Sequence, residues 1–409
     1  MLLTLFVAVL SGFIVYFSAN SISVYIISDN RAAEALRIMC FSLPFMATSA
    51  VLKGYFFARK KAAVNSVSQC IEQTVRVAFI FLWFTNIKAD VASGCAAVLL
   101  GDAVAEFSSA FYLSLMYFFD KKRLPTESGR LRPPYKIMSS LIRIVSPIAG
   151  GRYLNSFLRT VENILVPMNL QRFGLSNEDA LSGFGMIKGM ALPLLLFPAG
   201  LLSSVTSLLV PEMSEAAAAG HKSRIKYAAE RSIALTFIAS IPFAVIFFFA
   251  SEPLSALIYS DAEVGNMVKL LAPLVPLMYI DSVSDALLKA LDKQLVTFRH
   301  AVLDSLGRIA LILAFLPRFG IGGFIAIMYV SNIFTSMLNL IKLIQVSGAK
   351  ISVLKQIIIP LLTALIGGLV TDTLLRIFNI TGLVYIILIS VGISVLYIPL
   401  FPTFECFKN

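Results

Sequence analysis

The chain has 409 residues, is 58% hydrophobic and only 14% charged, and carries a net charge of +11. Ordinary soluble domains are about 25% charged, so a soluble enzyme and a disordered chain are both excluded. The basic excess fits Lys/Arg-rich loops on one side of a bilayer better than a nucleic-acid surface, and no nucleic-acid partner is expected.

Each crossing needs roughly 20 apolar residues. Hydropathy and breakers place twelve candidate spans at 2–27, 36–57, 64–86, 91–119, 140–167, 181–211, 228–250, 265–287, 299–317, 321–343, 353–375 and 380–402. The first has no Lys or Arg before Arg31, so it lacks the basic flank of a secretory signal. Several spans contain proline (Pro44, Pro193, Pro198, Pro242 and Pro276), which bundled membrane helices tolerate.

The loops alternate in charge. One set holds Arg59, Lys60 and Lys61; Lys121 to Lys136; Lys222, Arg224 and Lys226; Lys289, Lys293 and Arg299; and Lys342, Lys350 and Lys355. The other set is short and often acidic: Asp29, Glu34, Asp90, Glu178, Asp179, Asp261 and Glu263. The positive-inside rule makes the first set cytoplasmic, and an even span count puts both termini there too. Cys40, Cys70, Cys95 and Cys406 lack CxxC spacing and read as small hydrophobes rather than a framework. His221 and His300 fall in polar connections far apart, against a zinc site.

Sliding the chain on itself by about 232 residues aligns VYIISDNRAAEALRIMCFSLPFM with ALIYSDAEVGNMVKLLAPLVPLM without a gap. Ser28 and Asp29 fall on Ser260 and Asp261, Arg37 on Lys269, Pro44 on Pro276, and Met46 on Met278. Glu72 and Arg76 fall on Asp304 and Arg308. Both copies share one orientation, so the repeat is parallel. Copy two has two upstream helices, 140–167 and 181–211, without counterparts in copy one. The expected parent is six plus six plus two helices, with the first two absent from this chain. The expected organisation is a four-helix N-lobe over 1–119 and a basic cytoplasmic loop over 120–139. A six-helix C-lobe over 140–345 and two additional helices over 346–409 complete it.

Charge inside a span is costly and points to function. Arg152, Asn155, Arg159 and Glu162 share one helical face at i, i+3, i+7 and i+10. Guanidinium groups grip phosphate oxygens bidentately, so Arg152, Asn155 and Arg159 read as a diphosphate-binding stripe. The alternative is an Arg159–Glu162 pair, with Arg152 held by a neighbouring carboxylate. Lys188, five residues before Pro193, is either a cavity cation or a snorkelling lysine. Glu72–Arg76 and Asp304–Arg308 are i, i+4 pairs, either internally neutralised or involved in gating or ion coupling. Asp281, Asp285 and Lys289 form another stripe; Asp281 either titrates in the span or pairs with Lys289. Asp102 and Glu106 share a face as well. Gly185 and Gly189 make a small-xxx-small pattern for close packing. No Gly-rich phosphate loop, HExxH motif or nucleophile–His pairing appears, and no enzyme activity is expected.

The runs LKGYFFARKKAAVNSVSQCIEQTVRV (Leu52–Val77), VENILVPMNLQRFG (Val161–Gly174) and ALPLLLFPAGLLSSVTSLLVPEMSEAAAAG (Ala191–Gly220) resemble the multidrug/oligosaccharidyl-lipid/polysaccharide (MOP) exporter superfamily. Within it the chain resembles the stage V sporulation protein B group of polysaccharide-biosynthesis flippases. The resemblance implies an all-α, two-lobed membrane fold like that of multidrug exporters and lipid II flippases, with a fourteen-helix set. It implies alternating access and a polyprenyl-diphosphate-linked saccharide as cargo, moved across a bacterial cytoplasmic membrane among membrane lipids. No cofactor is implied beyond a coupling Na+ or H+. In related lipid II flippases a basic residue important for activity lies where Lys188 does. Some relatives bind sodium between the seventh, eleventh and twelfth helices, which here carry Glu162 and Asp304. Two other functions stay open: a cation-coupled multidrug exporter of the same fold, using Asp281 and Asp285, or a truncated, non-transporting remnant.

Overall fold

A computed structural model describes residues 2–27, 32–59, 61–86, 91–122 and 134–397. All regular structure among them is helical. The chain divides into two compact units, Met1–Pro134 and Tyr135–Asn409.

The first unit holds α1 (Leu2–Ile22), which runs into one wide π turn at Ser23–Ile27, then α2 (Ala32–Ala58), α3 (Ala62–Asn86) and α4 (Val91–Lys122). Helix α4 packs along both α2 and α3, and α1 lies along α2. Leu52, Phe56 and Leu113 form the fully buried centre. Asp120 fastens the basic end of α2 to α4: it accepts from the Tyr55 hydroxyl at 2.8 Å, pairs with Lys61, and lies 3.5 Å from Arg59 Nε. Two cations of a loop expected only to set topology thus also hold two helices together.

The second unit begins with α5 (Pro134–Phe173). Residues 134–139 are therefore helical rather than loop, and 40 residues make a rod about 60 Å long. The single span expected at 181–211 is broken. It comprises α6 (Asn177–Gly185), a π segment at Met186–Ala191, α7 (Leu192–Leu196) and α8 (Ala199–Ala218). The prolines explain the breaks: Pro193 and Pro198 lack the N–H that would continue the ladder, and their rings crowd the preceding turn. Two tyrosines brace the broken stretch, Tyr259 donating to the Met190 carbonyl at 3.1 Å and Tyr279 to the Leu195 carbonyl at 2.8 Å.

Then follow α9 (Lys222–Phe249), the short α10 (Ser251–Tyr259), α11 (Ala262–Leu271), a 3-10 turn, and α12 (Val275–Ala290). Ser260 stops α10 in the left-handed region, and Asp261 caps α11 by accepting from the Glu263 amide at 2.8 Å. The spans expected at 299–317 and 321–343 run on as α13 (Gln294–Ser347), folded back at Gly320 with φ 56° and ψ −139°. A Cβ there would meet the Phe173 ring at 2.8 Å, so only glycine fits. Helices α14 (Ile359–Ile377) and α15 (Gly382–Tyr397) complete the unit. One core gathers Ile233, Ile241, Ile280, Leu287 and Ile389 of α9, α12 and α15. A second gathers Ile187, Leu195, Leu271, Ile312 and Leu316.

Among the described residues, eight helical segments are long and apolar enough to cross a membrane, α13 counting once despite its kink. The chain is a multi-pass membrane protein. Helices α3 and α5, which carry Glu72 and Arg76 and Arg152, Arg159 and Glu162, fall outside that set.

The repeat has matching contacts in each unit. Arg37 stands over the Tyr16 ring at 5.7 Å, and Lys269 over the Phe248 ring at 5.6 Å; all four residues obey the 232-residue offset. Arg76 pairs with Glu72 and Arg308 with Asp304 at the equivalent positions. Pro44 lies inside α2, and Pro276 lies in the first turn of α12. Ser28 and Asp29 fall outside the described residues.

Two minor expectations are corrected. Cys40 is buried, but Cys70 and Cys95 are exposed on helix faces; Cys406 is outside the described residues. Nothing approaches Gly185 or Gly189, whereas Gly183 packs against Ile321 so closely that a Cβ would sit 2.6 Å from its Cδ1.

Candidate functional site: a charged column in the second unit

The polar residues of the second unit form a column along the first half of α13. His300, Asp304 and Arg308 are spaced four apart and so share one face. At its lower end, Asn339 bridges two titratable groups. Its Nδ2 donates to Asp281 Oδ1 at 2.8 Å, and its Oδ1 lies 2.7 Å from His300 Nδ1. An amide oxygen only accepts, so this arrangement puts the proton on His300 Nδ1. Asp281 thus finds Asn339 rather than Lys289. Lys289 pairs with Asp285 one turn away, which takes Asp285 out of the column.

At its upper end, Arg308 joins two nearly buried carboxylates. It pairs with Asp304 on its own helix and lies 3.4 Å from Glu162 Oε2 on α5. The Glu162 and Asp304 side chains are each 6% exposed. Asp304 also accepts from the buried Ser331 hydroxyl at 2.6 Å. Glu162 Oε1 and Arg308 Nε are buried without a hydrogen-bond partner. The alternative Arg159–Glu162 pair does not form: Glu162 turns to α13.

Arg152 and Arg159 are exposed along α5, Asn155 between them is half-buried, and among the described residues neither arginine makes an ion pair. Lys188 is carried on the π segment that precedes Pro193, and its ammonium lies within electrostatic reach of Arg159, Arg308 and Glu162. Five residues that the sequence singled out therefore converge: Arg159, Lys188 and Arg308 with Glu162 and Asp304, leaving one positive charge in excess; Arg152, two turns along α5, adds a second.

Glu72 and Arg76 belong to the first unit and have their own partners. Arg76 lies 3.3 Å from Glu72 and 2.5 Å from Asp102, and Lys53 lies 3.1 Å from Glu72. Among the described residues no three His, Cys, Asp or Glu side chains gather as a metal site. His300 and Asn339 were missed in the sequence. The four-residue spacing of His300 from Asp304 is the signal that could find it, although its polar sequence neighbours read as a connection.

This geometry can be set beside known proteins. The MatE family matches residues 147–316, the stretch that holds most of α5, all of α6 to α12 and most of the column. Stage V sporulation protein B of Bacillus subtilis (strain 168) is 25% identical over 303 residues, 73% of this chain and 58% of that protein. The chain thus spans little more than half the length of this curated relative. Among solved structures, the lipid II flippase MurJ in an inward closed conformation is similar with a TM-score of 0.71 at 16% identity, over 98% of this chain and 81% of MurJ. An inward-facing multidrug resistance MATE transporter of the MOP superfamily is similar with a TM-score of 0.62 at 11% identity, over 84% and 79%. These likenesses show a helical fold similar to that of the lipid II flippase and MATE transporter structures, with a region over residues 147–316 that matches the MatE family.

Proposed function

We propose that the chain moves a polyprenyl-diphosphate-linked saccharide across a bacterial cytoplasmic membrane by alternating access, as a flippase without covalent chemistry. The observation that carries this reading is the pair of exposed, unpaired guanidinium groups, Arg152 and Arg159, beside Lys188 in a helix of the membrane domain. Such cations are expensive in a bilayer unless an anion meets them. A diphosphate supplies that anion, its oxygens matching the planar fork of arginine. Asn155 lies between the two arginines and offers an amide to the same oxygens or to a sugar hydroxyl. Lys188 contributes a point charge. The names of two similar proteins, a sporulation protein and a lipid II flippase, favour a cell-envelope precursor as cargo.

Glu162, Asp304 and Arg308 serve in this reading as a latch between α5 and α13. Arg308 already occupies the space between the two carboxylates, which argues against a bound metal cation there while the latch is closed. Glu72 and Arg76 play the same part in the N-lobe. In this reading both termini lie on the cytoplasmic side with the basic loops, residues 1–119 and 140–345 are the two lobes, and 346–409 supply two further helices.

The test is transfer of a fluorescent lipid-linked disaccharide diphosphate between leaflets of proteoliposomes. The wild type should flip it, and Arg152→Ala with Arg159→Ala should stop it. Flipping that persists in the double variant would remove the diphosphate stripe from the account.

A second reading, a cation-coupled multidrug exporter, is favoured by one observation: the Asp281–Asn339–His300 bridge places a carboxylate and an imidazole together inside the C-lobe. Dye efflux driven by an imposed cation gradient and lost in Asp281→Asn would select it.

A further inference from the structure

The broken helix of the second unit carries Lys188, and two tyrosines from elsewhere in the chain hold the break. Lys188 lies in the wide π segment Met186–Ala191, whose register is marked by the Leu192 amide donating to the Ile187 carbonyl, five residues back. Pro193 and Pro198 then remove two amides from the ladder. Tyr259, at the end of α10, donates to the Met190 carbonyl at 3.1 Å. Tyr279, on α12, is 1% exposed and donates to the Leu195 carbonyl at 2.8 Å. The Ala199 amide donates to the same tyrosine hydroxyl. Leu195 and Ala199 stand four apart, the spacing of an ordinary helical hydrogen bond. The Tyr279 hydroxyl is thus inserted into the ladder where Pro198 interrupts it, and it joins α7 to α8.

The apolar side of this stretch is anchored without the tyrosines. Ile187, Ala191 and Leu195 are fully buried, in the core that also takes Val268 and Leu271 of α11. Loss of a hydroxyl therefore leaves the stretch attached to the bundle. It does not leave the polar groups of the break satisfied. A buried carbonyl without a donor is costly, and the nearest other donors to the Met190 carbonyl are amides of its own helix in the tighter α register. One residue of register turns the chain by about 100°. Lys188, two residues away and exposed at the surface of the segment, would then turn from Arg159, Arg308 and Glu162, within whose electrostatic reach it now lies.

We propose, on the reading of the cargo as a lipid-linked diphosphate, that Tyr259 and Tyr279 are positioning residues of the cargo site. By holding the Met190 and Leu195 carbonyls they fix the wide turn that aims Lys188 at the diphosphate. Neither tyrosine touches the cargo in this role. Tyr259 secures the turn itself, and Tyr279 secures the joint beyond the prolines. Both act on Lys188 and not on Arg152 or Arg159, which α5 carries.

The experiment is a double-mutant cycle on the binding of a polyprenyl diphosphate to the full chain reconstituted in vesicles. Lys188→Ala should weaken binding about tenfold, the worth of one charge-assisted contact. Tyr259→Phe with Tyr279→Phe should weaken it severalfold, and the same two changes added to Lys188→Ala should weaken it no further. Added to Arg152→Ala, they should weaken it by their full factor. A merely structural role would act equally in both backgrounds. Equal factors, or wild-type affinity in the tyrosine double variant, would overturn the proposal. A second readout does not depend on the cargo. In a chain with Cys40, Cys70, Cys95 and Cys406 changed to serine, Lys188→Cys is labelled with a water-soluble thiol reagent. Adding Tyr259→Phe and Tyr279→Phe should change the labelling rate severalfold, and an unchanged rate overturns the proposal. A wild type that does not bind the diphosphate would end the flippase reading, and the labelling rate then decides the role of the tyrosines alone. If the tyrosine double variant does not fold, Tyr259→Phe by itself, which removes a part-buried hydroxyl, takes its place in both readouts with the same outcomes.

Discussion

Replacing Arg308 by methionine tests the latch that joins α5 to α13. The substitution removes the guanidinium but keeps an unbranched side chain of similar reach. It leaves Glu162 and Asp304, each 6% exposed, facing one another without a counter-charge. Asp304 keeps the 2.6 Å hydrogen bond from Ser331. Glu162 loses its only ion pair among the described residues, and its Oε1 already lacks a hydrogen-bond partner. Removing one partner of a buried ion pair costs about 3–5 kcal/mol. Arg308 itself is 27% exposed, so water screens part of the loss and about 3 kcal/mol is expected. The assay is thermal unfolding of the purified protein in one detergent at pH 7. Arg308→Met should melt well below the wild type, and adding Glu162→Gln and Asp304→Asn should recover most of the loss. An unshifted melting temperature in the single variant, or no recovery in the triple variant, would refute the reasoning.

Three further outcomes are expected from the same melting assay. Gly320→Ala should cost about 2 kcal/mol, because φ 56° with ψ −139° is strained for any residue with a Cβ and the methyl meets Phe173; trimming Phe173 to alanine should not restore it. Tyr279→Phe should cost about 1–2 kcal/mol, since it leaves the Leu195 carbonyl of the broken helix without its buried donor. Arg152→Gln with Arg159→Gln should change stability by no more than about 0.5 kcal/mol, both side chains being exposed and without ion pairs; a large loss would mean the arginines hold the fold rather than a ligand.

The elements that the sequence made legible are those governed by composition and period. Long apolar runs marked α1, α2, α4 and α9, and the 232-residue offset located Arg37 and Lys269, whose matching ring contacts were not foreseeable. The breaks were harder. Pro193 and Pro198 were visible, but the outcome, one π segment and two helices, depends on the hydroxyls of Tyr259 and Tyr279, which come from about 70 and 85 residues away. Gly320 falls in the gap between the spans read at 299–317 and 321–343, but its non-helical backbone and its approach to Phe173 are not legible in hydropathy. Among the charged residues, spacing identified the partners within a helix: Asp304–Arg308, Glu72–Arg76 and Asp285–Lys289. Spacing could not show that Glu162 prefers Arg308, that Arg76 also meets Asp102, or that Asn339 links Asp281 to His300. Those are contacts between helices, fixed by packing rather than by period.

The central claim is that Arg152 and Arg159 recognise a lipid-linked diphosphate. It is tested most directly by the affinity of the reconstituted protein for a polyprenyl diphosphate against the corresponding monophosphate. Two charge-assisted contacts at about 1.5 kcal/mol each amount to about 3 kcal/mol, or roughly a hundredfold in Kd. The wild type should prefer the diphosphate by about that factor, and Arg152→Gln with Arg159→Gln should abolish the preference. Equal affinities in the wild type, or a preference that survives in the double variant, would contradict the account.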